Sequence, residues 1–309
     1  MMMSTGNING LHYPHRILSS GRREDLKKEI DSLHADGKLA DLIYRSYSRI
    51  FDCPMPKGYS ESGSLIVAAV PRPQETVGFS WKGTIHRLLL PPSYIRYWEI
   101  TEQVESLLNQ QLNPHGYSVT FARVPQKIAA TRSGLAKYGR NNIVYVPGCG
   151  SLHMLVTFYS DMPCSNDTWQ EPEILPRCQT CSACAKSCPS NAISHEGFMI
   201  QQDRCITLYS GYSGSLDFPG WLEPSWIECL IGCMKCQRTC PENRDYIKWI
   251  EENETFSEEE TQLLRVGLNE NNIPEPVKDK LARMGLIRFF GLQNCLEVFS
   301  RKLKLLLQI

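Results

Sequence analysis

Apolar positions recur at helical spacing in some stretches of the chain and run unbroken in others. Over residues 22–51, Leu26, Ile30 and Leu33 share one helical face, Asp36-Gly37 interrupts, and Leu39, Leu42 and Ile43 resume the pattern. The apolar run of residues 64–71 predicts a short buried strand, stopped by the Pro-Arg-Pro of 71–73. Residues 93–112 predict a helix with Ser93 as its N-cap and Asn113-Pro114 as its stop. Residues 117–125, 142–148 and 153–161 predict three more strands, and 126–139 a helix ending near Gly134 or Gly139. This alternation predicts an α/β or α+β fold for the first half of the chain.

Residues 162–176 read as a proline-rich linker, followed by a cysteine-rich region in which little strand is expected and 211–220 is a loop. Beyond residue 250 the chain turns acidic, and the charges of 251–260 read as a solvated helix start. Ser257 and Glu260 form a capping box, and amphipathic helices are expected over about 275–284 and 290–307. Three segments result: 1–162, 163–250, and a helical tail over 251–309.

Composition adds limits. Lys plus Arg equals Asp plus Glu, 33 each, so no overall charge draws the chain to nucleic acid or an anionic membrane. The start carries no basic flank followed by an apolar stretch, and no apolar run is long enough to span a bilayer. A cytoplasmic protein without a membrane partner is the expectation. Thirteen cysteines change the picture: nine lie between 178 and 240, beside Cys53, Cys149, Cys164 and Cys295. Disulfide scaffolds belong to short exported chains, so crowded thiols here point to metal.

Cys178, Cys181, Cys184 and Cys188, followed by Pro189, have the spacing C-x2-C-x2-C-x3-C-P. This is the bacterial ferredoxin run for a 4Fe–4S cluster. Three thiolates two residues apart wrap one cube, and the fourth points to a second. Zinc prefers two separated pairs and suits the run poorly. The second run, Cys233, Cys236, Cys240 and Pro241, lacks its first member, because Leu230 occupies that position. Cys205 and Cys229 compete for the vacancy. By the crossing rule of two-cluster ferredoxins, Cys178, Cys181 and Cys184 take Cys240 as fourth ligand. Cys188 then joins Cys233, Cys236 and one of the two candidates, and one thiol is spare.

The cysteine block resembles the double-cluster domain of epoxyqueuosine reductases and, more distantly, of reductive dehalogenases. The stretches carrying the resemblance are "DRCITL" (203–208) and "GCMKCQRTCPEN" (232–243). Upstream, "AATRSGLAKYGRNNIVYV" (129–146), "LIVAAVP" (65–71) and "GTIHR" (83–87) resemble the same families, and the likeness covers roughly residues 60–250. It implies Cys205 as the ligand and Cys229 as the spare thiol. It also implies a nitroreductase-like N-terminal domain that holds cobalamin, joined to a ferredoxin-like two-cluster domain. The residues it places near the corrin are His86, Arg140, Asn141, Tyr145, Val146, Gly148, Gly150 and Ser151.

One position departs from the resemblance. Epoxyqueuosine reductases carry a proton-donating Asp before a helix, and aligning on Pro125 puts Ala122 there. A methyl group cannot deliver a proton. Tyr138, Tyr145 and His153 are the substitute acids nearby in sequence. Ordinary roles compete for several of these residues: a solvated loop for His86, a hydrogen-bonded strand start for His153, a surface site for Arg132, and a structural thiol for Cys149. Trp221 and Trp226 are expected to shield the second cluster. The sequence thus reads as a reductase that passes electrons from a ferredoxin or flavodoxin through two 4Fe–4S clusters to cobalamin, for an unidentified organic substrate. The rivals are an electron carrier that reduces a corrinoid protein, and an epoxyqueuosine reductase acting on tRNA with a relocated acid.

Overall fold

The computed structural model describes residues 4–8, 11–194, 198–211 and 216–307. Residues 212–215, inside the loop expected over 211–220, lie outside the described residues. The strands are β1 Ser4–Ile8, β2 Leu11–Ser19, β3 Ser64–Pro71, β4 Gln74–Trp81, β5 Thr84–Leu90, β6 Val119–Phe121, β7 Lys137–Tyr138, β8 Val144–Tyr145, β9 His153–Ser160 and β10 Ile250–Phe256. The helices begin with α1 Arg23–Ala35, α2 Asp41–Ser46, α3 Ser48–Phe51, α4 Tyr97–Leu112, α5 Gln126–Arg132 and α6 Ala183–Ser187. They continue with α7 Ile206–Gly211, α8 Lys235–Arg238, α9 Glu258–Val266, α10 Glu275–Arg283, α11 Leu286–Phe290 and α12 Leu292–Leu306. The fold is mixed α/β, and no helix among the described residues is long and apolar enough to cross a membrane.

Two compact units share the chain. The first comprises residues 1–71, 100–182 and 193–202. Its sheet has the order β1-β2-β3-β9-β6, antiparallel at every pairing. β3 is central and buried from Ser64 to Val70, as a continuous apolar run requires. β9 is buried throughout and pairs with it from Ser64↔Ser160 to Pro71↔His153. Leu26 and Ile30 of α1, Ile128 and Ala129 of α5, and Leu65 and Val67 of β3 meet in one core. The Asn109 side chain of α4 bonds both the N–H and the C=O of Val119, pinning that helix to β6.

The second unit comprises residues 72–99, 183–192 and 203–309. Its sheet has the order β10-β4-β5, with β10 parallel and β5 antiparallel to β4. Phe79 of β4 stacks on Phe256 of β10 at 5.3 Å between centroids, and both meet Phe299 of α12 edge-on. Val277, Leu281, Leu296 and Leu303 of the C-terminal helices complete this core.

The structure corrects several sequence expectations. Ser93 does not cap the helix of 93–112: it sits in a 3-10 turn, Ile95 is extended, Arg96 has φ 48°, and α4 starts only at Tyr97. The helix expected over 126–139 stops at Arg132, and Gly134 takes φ 71°. The charges of 251–256 lie on strand β10, where the backbone ladder to β4 and the packing of Phe256 outweigh the helical reading. His86 lies not in a loop but on β5, in a hairpin turned by Lys82 and Gly83, both at positive φ. The capping box at Ser257 and Glu260 forms as expected.

Candidate functional site: the cysteine lobe and its neighbours

The cysteine runs fold as short turns, because ligand loops rather than packing faces dictate their shape. Cys178 sits in the 3-10 turn Pro176–Gln179, Cys184 on α6, Cys236 on α8, and Cys240 just before the turn Pro241–Asn243. Within the second unit α6 and α8 pack together, and the Thr239 hydroxyl donates to that of Ser187 at 3.1 Å. All thirteen cysteines are free thiols, and apart from Cys184 and Cys229 those between 178 and 240 are only partly buried.

Several sulfurs already have the neighbours an iron–sulfur ligand uses. The backbone N–H of Arg140 donates to Cys178 Sγ at 3.5 Å, and the Arg140 guanidinium bonds the Cys178 carbonyl. Cys188 Sγ lies 3.5 Å from Ser190 Oγ. Burial pushes the Cys233 thiol up to about 11, while a backbone hydrogen bond from Lys235 pulls the other way and Cys205 adds like charge. N–H···S bonds of this kind stabilise sulfur-borne charge and tune cluster potential. Cys229 is 1% exposed and its thiol is pushed far up by burial. The thiol set, at ferredoxin spacing and with its N–H···S donors, fits iron–sulfur clusters.

The residues expected near a corrin are divided between the two units. His86 is exposed on β5 of the second unit. Arg140, Asn141, Tyr145, Val146, Gly148, Gly150 and Ser151 lie together in the first unit, where β7 and β8 form a two-stranded ribbon. Asn141 Nδ2 donates to Tyr145 Oη at 3.0 Å, and the turn Val146–Gly150 closes through two backbone bonds of 2.8 and 3.0 Å. Pro147 and Gly148 at its tip are exposed, while Val146, Gly150 and Ser151 are buried. Arg140 thus bonds the backbone and sulfur of the first cysteine run, a contact that sequence alone could not show.

The three candidate acids are all buried. Tyr138 stacks on Phe198 at 4.4 Å, and burial pushes its phenol up, holding the proton on. Tyr145 is engaged by Asn141. His153 Nδ1 lies 3.1 Å from the Gly150 carbonyl, and burial lowers the imidazole to about 4, so the ring is neutral near pH 7. Ala122 is fully buried, bonded through its backbone to Thr157. Burial also pushes the Cys149 thiol up to about 12.

No family model matches the chain. Curated relatives do. An epoxyqueuosine reductase of Atelocyanobacterium thalassa is 28% identical over 243 residues, 77% of this chain and 76% of the relative. One of Pseudomonas aeruginosa is 32% identical over 146 residues, 46% of this chain and 39% of the relative. The solved epoxyqueuosine reductase of Bacillus subtilis superposes with a TM-score of 0.62 at 17% identity, covering 95% of this chain and 76% of that one. An epoxyqueuosine reductase solved with an epoxyqueuosine-modified tRNA-Tyr stem loop gives 0.59 at 16% identity with the same coverage. The chain is similar to epoxyqueuosine reductases in sequence and has their fold.

Proposed function

We propose that the chain is an iron–sulfur oxidoreductase that reduces epoxyqueuosine in tRNA. One observation carries the reading: seven thiols in two ferredoxin-type runs, with Cys205 to complete eight ligands, occur in a chain that is similar over 243 residues to an epoxyqueuosine reductase. The similarity favours tRNA over the free organic substrate, or the corrinoid protein, that the sequence first suggested.

Cys178, Cys181, Cys184 and Cys240 would hold one cluster, and Cys188, Cys205, Cys233 and Cys236 the other. The segment 1–162 would hold cobalamin through the turn at 146–151, with Arg140 and Asn141 in support. When bound, the clusters would supply single electrons and the cobalamin low-valent redox chemistry. The chain's own residues would orient the nucleotide and supply protons, since reducing an epoxide to an alkene releases its oxygen as water. Tyr138 and Tyr145 would be the candidate donors in place of the side chain that Ala122 lacks, because burial keeps His153 neutral near pH 7. A ferredoxin or flavodoxin would be the electron source.

The test is turnover. The anaerobically reconstituted chain is given cobalamin, a reductant and an epoxyqueuosine-bearing tRNA stem loop, and the nucleoside is analysed by mass spectrometry. Loss of one oxygen from the nucleoside is the expected result. Full iron and cobalt content with an unchanged nucleoside would overturn the assignment. Full iron without retained cobalt would favour the electron carrier.

A further inference from the structure

Lys302 of α12 is 1% exposed: it lies on the buried face of that helix, seven residues after Cys295 and three after Phe299. Its Nζ donates to Ser210 Oγ at 2.7 Å. The Ser210 hydroxyl, itself 2% exposed, donates to the Gly232 carbonyl at 2.8 Å. Gly232 immediately precedes Cys233. The ammonium also stands 5.1 Å from the centre of the Phe218 ring, which Arg301 covers at 4.7 Å.

A buried ammonium needs a counter-charge, because a hydroxyl and an aromatic face do not replace its lost hydration. Burial lowers the Lys302 ammonium to about 7; of the titratable neighbours that act on it, Cys229 and Cys233 raise it and Arg301 lowers it. Arg301 has the same sign and worsens the account. The remaining source of negative charge is sulfur: Cys233 ionised as a cluster ligand, with the net negative charge of the cube behind it. Every group in this arrangement belongs to the second unit.

We propose that Lys302 sets the reduction potential of the cluster bound by Cys233: its buried ammonium, fixed through Ser210 to the carbonyl ahead of that cysteine, stabilises the extra electron of the reduced cube. The inference rests on Cys233 being a cluster ligand. Reduction adds one electron to the cube and breaks no bond. A fixed positive charge favours the more negative state and so raises the midpoint potential. Lys302 is a positioning residue in this role, because it acts through the cluster and not on substrate.

The test is a redox titration of the full chain, reconstituted anaerobically with iron and sulfide and followed by electron paramagnetic resonance. Wild type is compared with Lys302→Met and Lys302→Arg. Lys302→Met is expected to keep the full iron content and lower the midpoint of one cluster, the one whose signal disappears in Cys205→Ala. Lys302→Arg restores the midpoint. An unmoved midpoint in iron-replete Lys302→Met, equal displacement of both clusters, or a displacement that arginine does not rescue overturns the role. If Lys302→Met fails to hold iron, Ser210→Ala keeps the charge and removes its anchor. Displacement of the same signal in that variant supports the role, and its absence overturns it. A wild-type chain that takes up no iron overturns the cluster reading itself, and shows this before any variant is made.

Discussion

Gly139 begins the tight segment that brings Arg140 to Cys178, and Gly139→Ala tests how closely that segment is built. A Cβ at this position would stand 2.6 Å from Asn141 Oδ1 and 2.6 Å from Tyr145 Cε2. Neither neighbour can yield cheaply. Tyr145 and Asn141 are both buried and hydrogen-bonded to each other, and Asn141 Oδ1 also accepts from the Ile143 N–H at 3.3 Å. Forcing an extra methyl into a packed site costs ~1–3 kcal/mol. Separating the Asn141–Tyr145 pair adds ~1 kcal/mol. A total of about 3 kcal/mol lowers the melting temperature of a domain of 150–250 residues by ~6–12 °C. Gly148→Ala is the control. Its Cβ would meet nothing within 4 Å, and only its φ of 89° opposes a side chain, for ~1–2 kcal/mol. Thermal melts of the apo chain, wild type against both variants, give the comparison, and iron uptake by Gly139→Ala should fall because the Arg140–Cys178 contacts move with the segment. If Gly139→Ala melts with or above Gly148→Ala, the packing argument is wrong.

Three further outcomes follow from the structure. Cys205→Ala should lose one cluster's iron while Cys229→Ala keeps both, read by iron and sulfide assay; the reverse would make Cys229 the ligand. His153, lowered from 6.5 to about 4 by burial, contributes ~3 kcal/mol that is fully present above pH 6.5 and lost as pH falls toward 4. His15 is lowered by burial as well and acts with the same sign. Urea unfolding at pH 7 and pH 5 should therefore show a smaller pH difference in His153→Gln than in wild type, and an unchanged difference would refute the assignment. Ser257→Ala removes the cap whose hydroxyl accepts from Glu260 N–H at 3.2 Å, and should cost ~1 kcal/mol by urea midpoint without touching iron content.

What the sequence revealed depended on whether a local rule was strong enough to decide alone. The apolar run 64–71 could only be a buried strand, and it is β3. Ser257 with Glu260 could only be a helix start, and it is. The β4–β5 hairpin escaped because its turn uses Lys82 at φ 49°, a residue type that does not announce positive φ. Strand β10 escaped because its charges fit a solvated surface equally well on a helix or on a sheet edge. The candidate cluster ligands were legible because thiol spacing is a local property. Arg140 at Cys178, 38 residues apart, and Lys302 beside Ser210, 92 residues apart, were not, since only tertiary folding joins them.

The central claim is that the thiols between Cys178 and Cys240 cage two iron–sulfur cubes. Iron, sulfide and zinc analysis of the anaerobically purified full chain, with its visible absorption, tests this most directly. The account predicts a brown protein with about eight irons and about eight sulfides per chain. A colourless protein holding zinc or no metal, under the same anaerobic conditions, would contradict it.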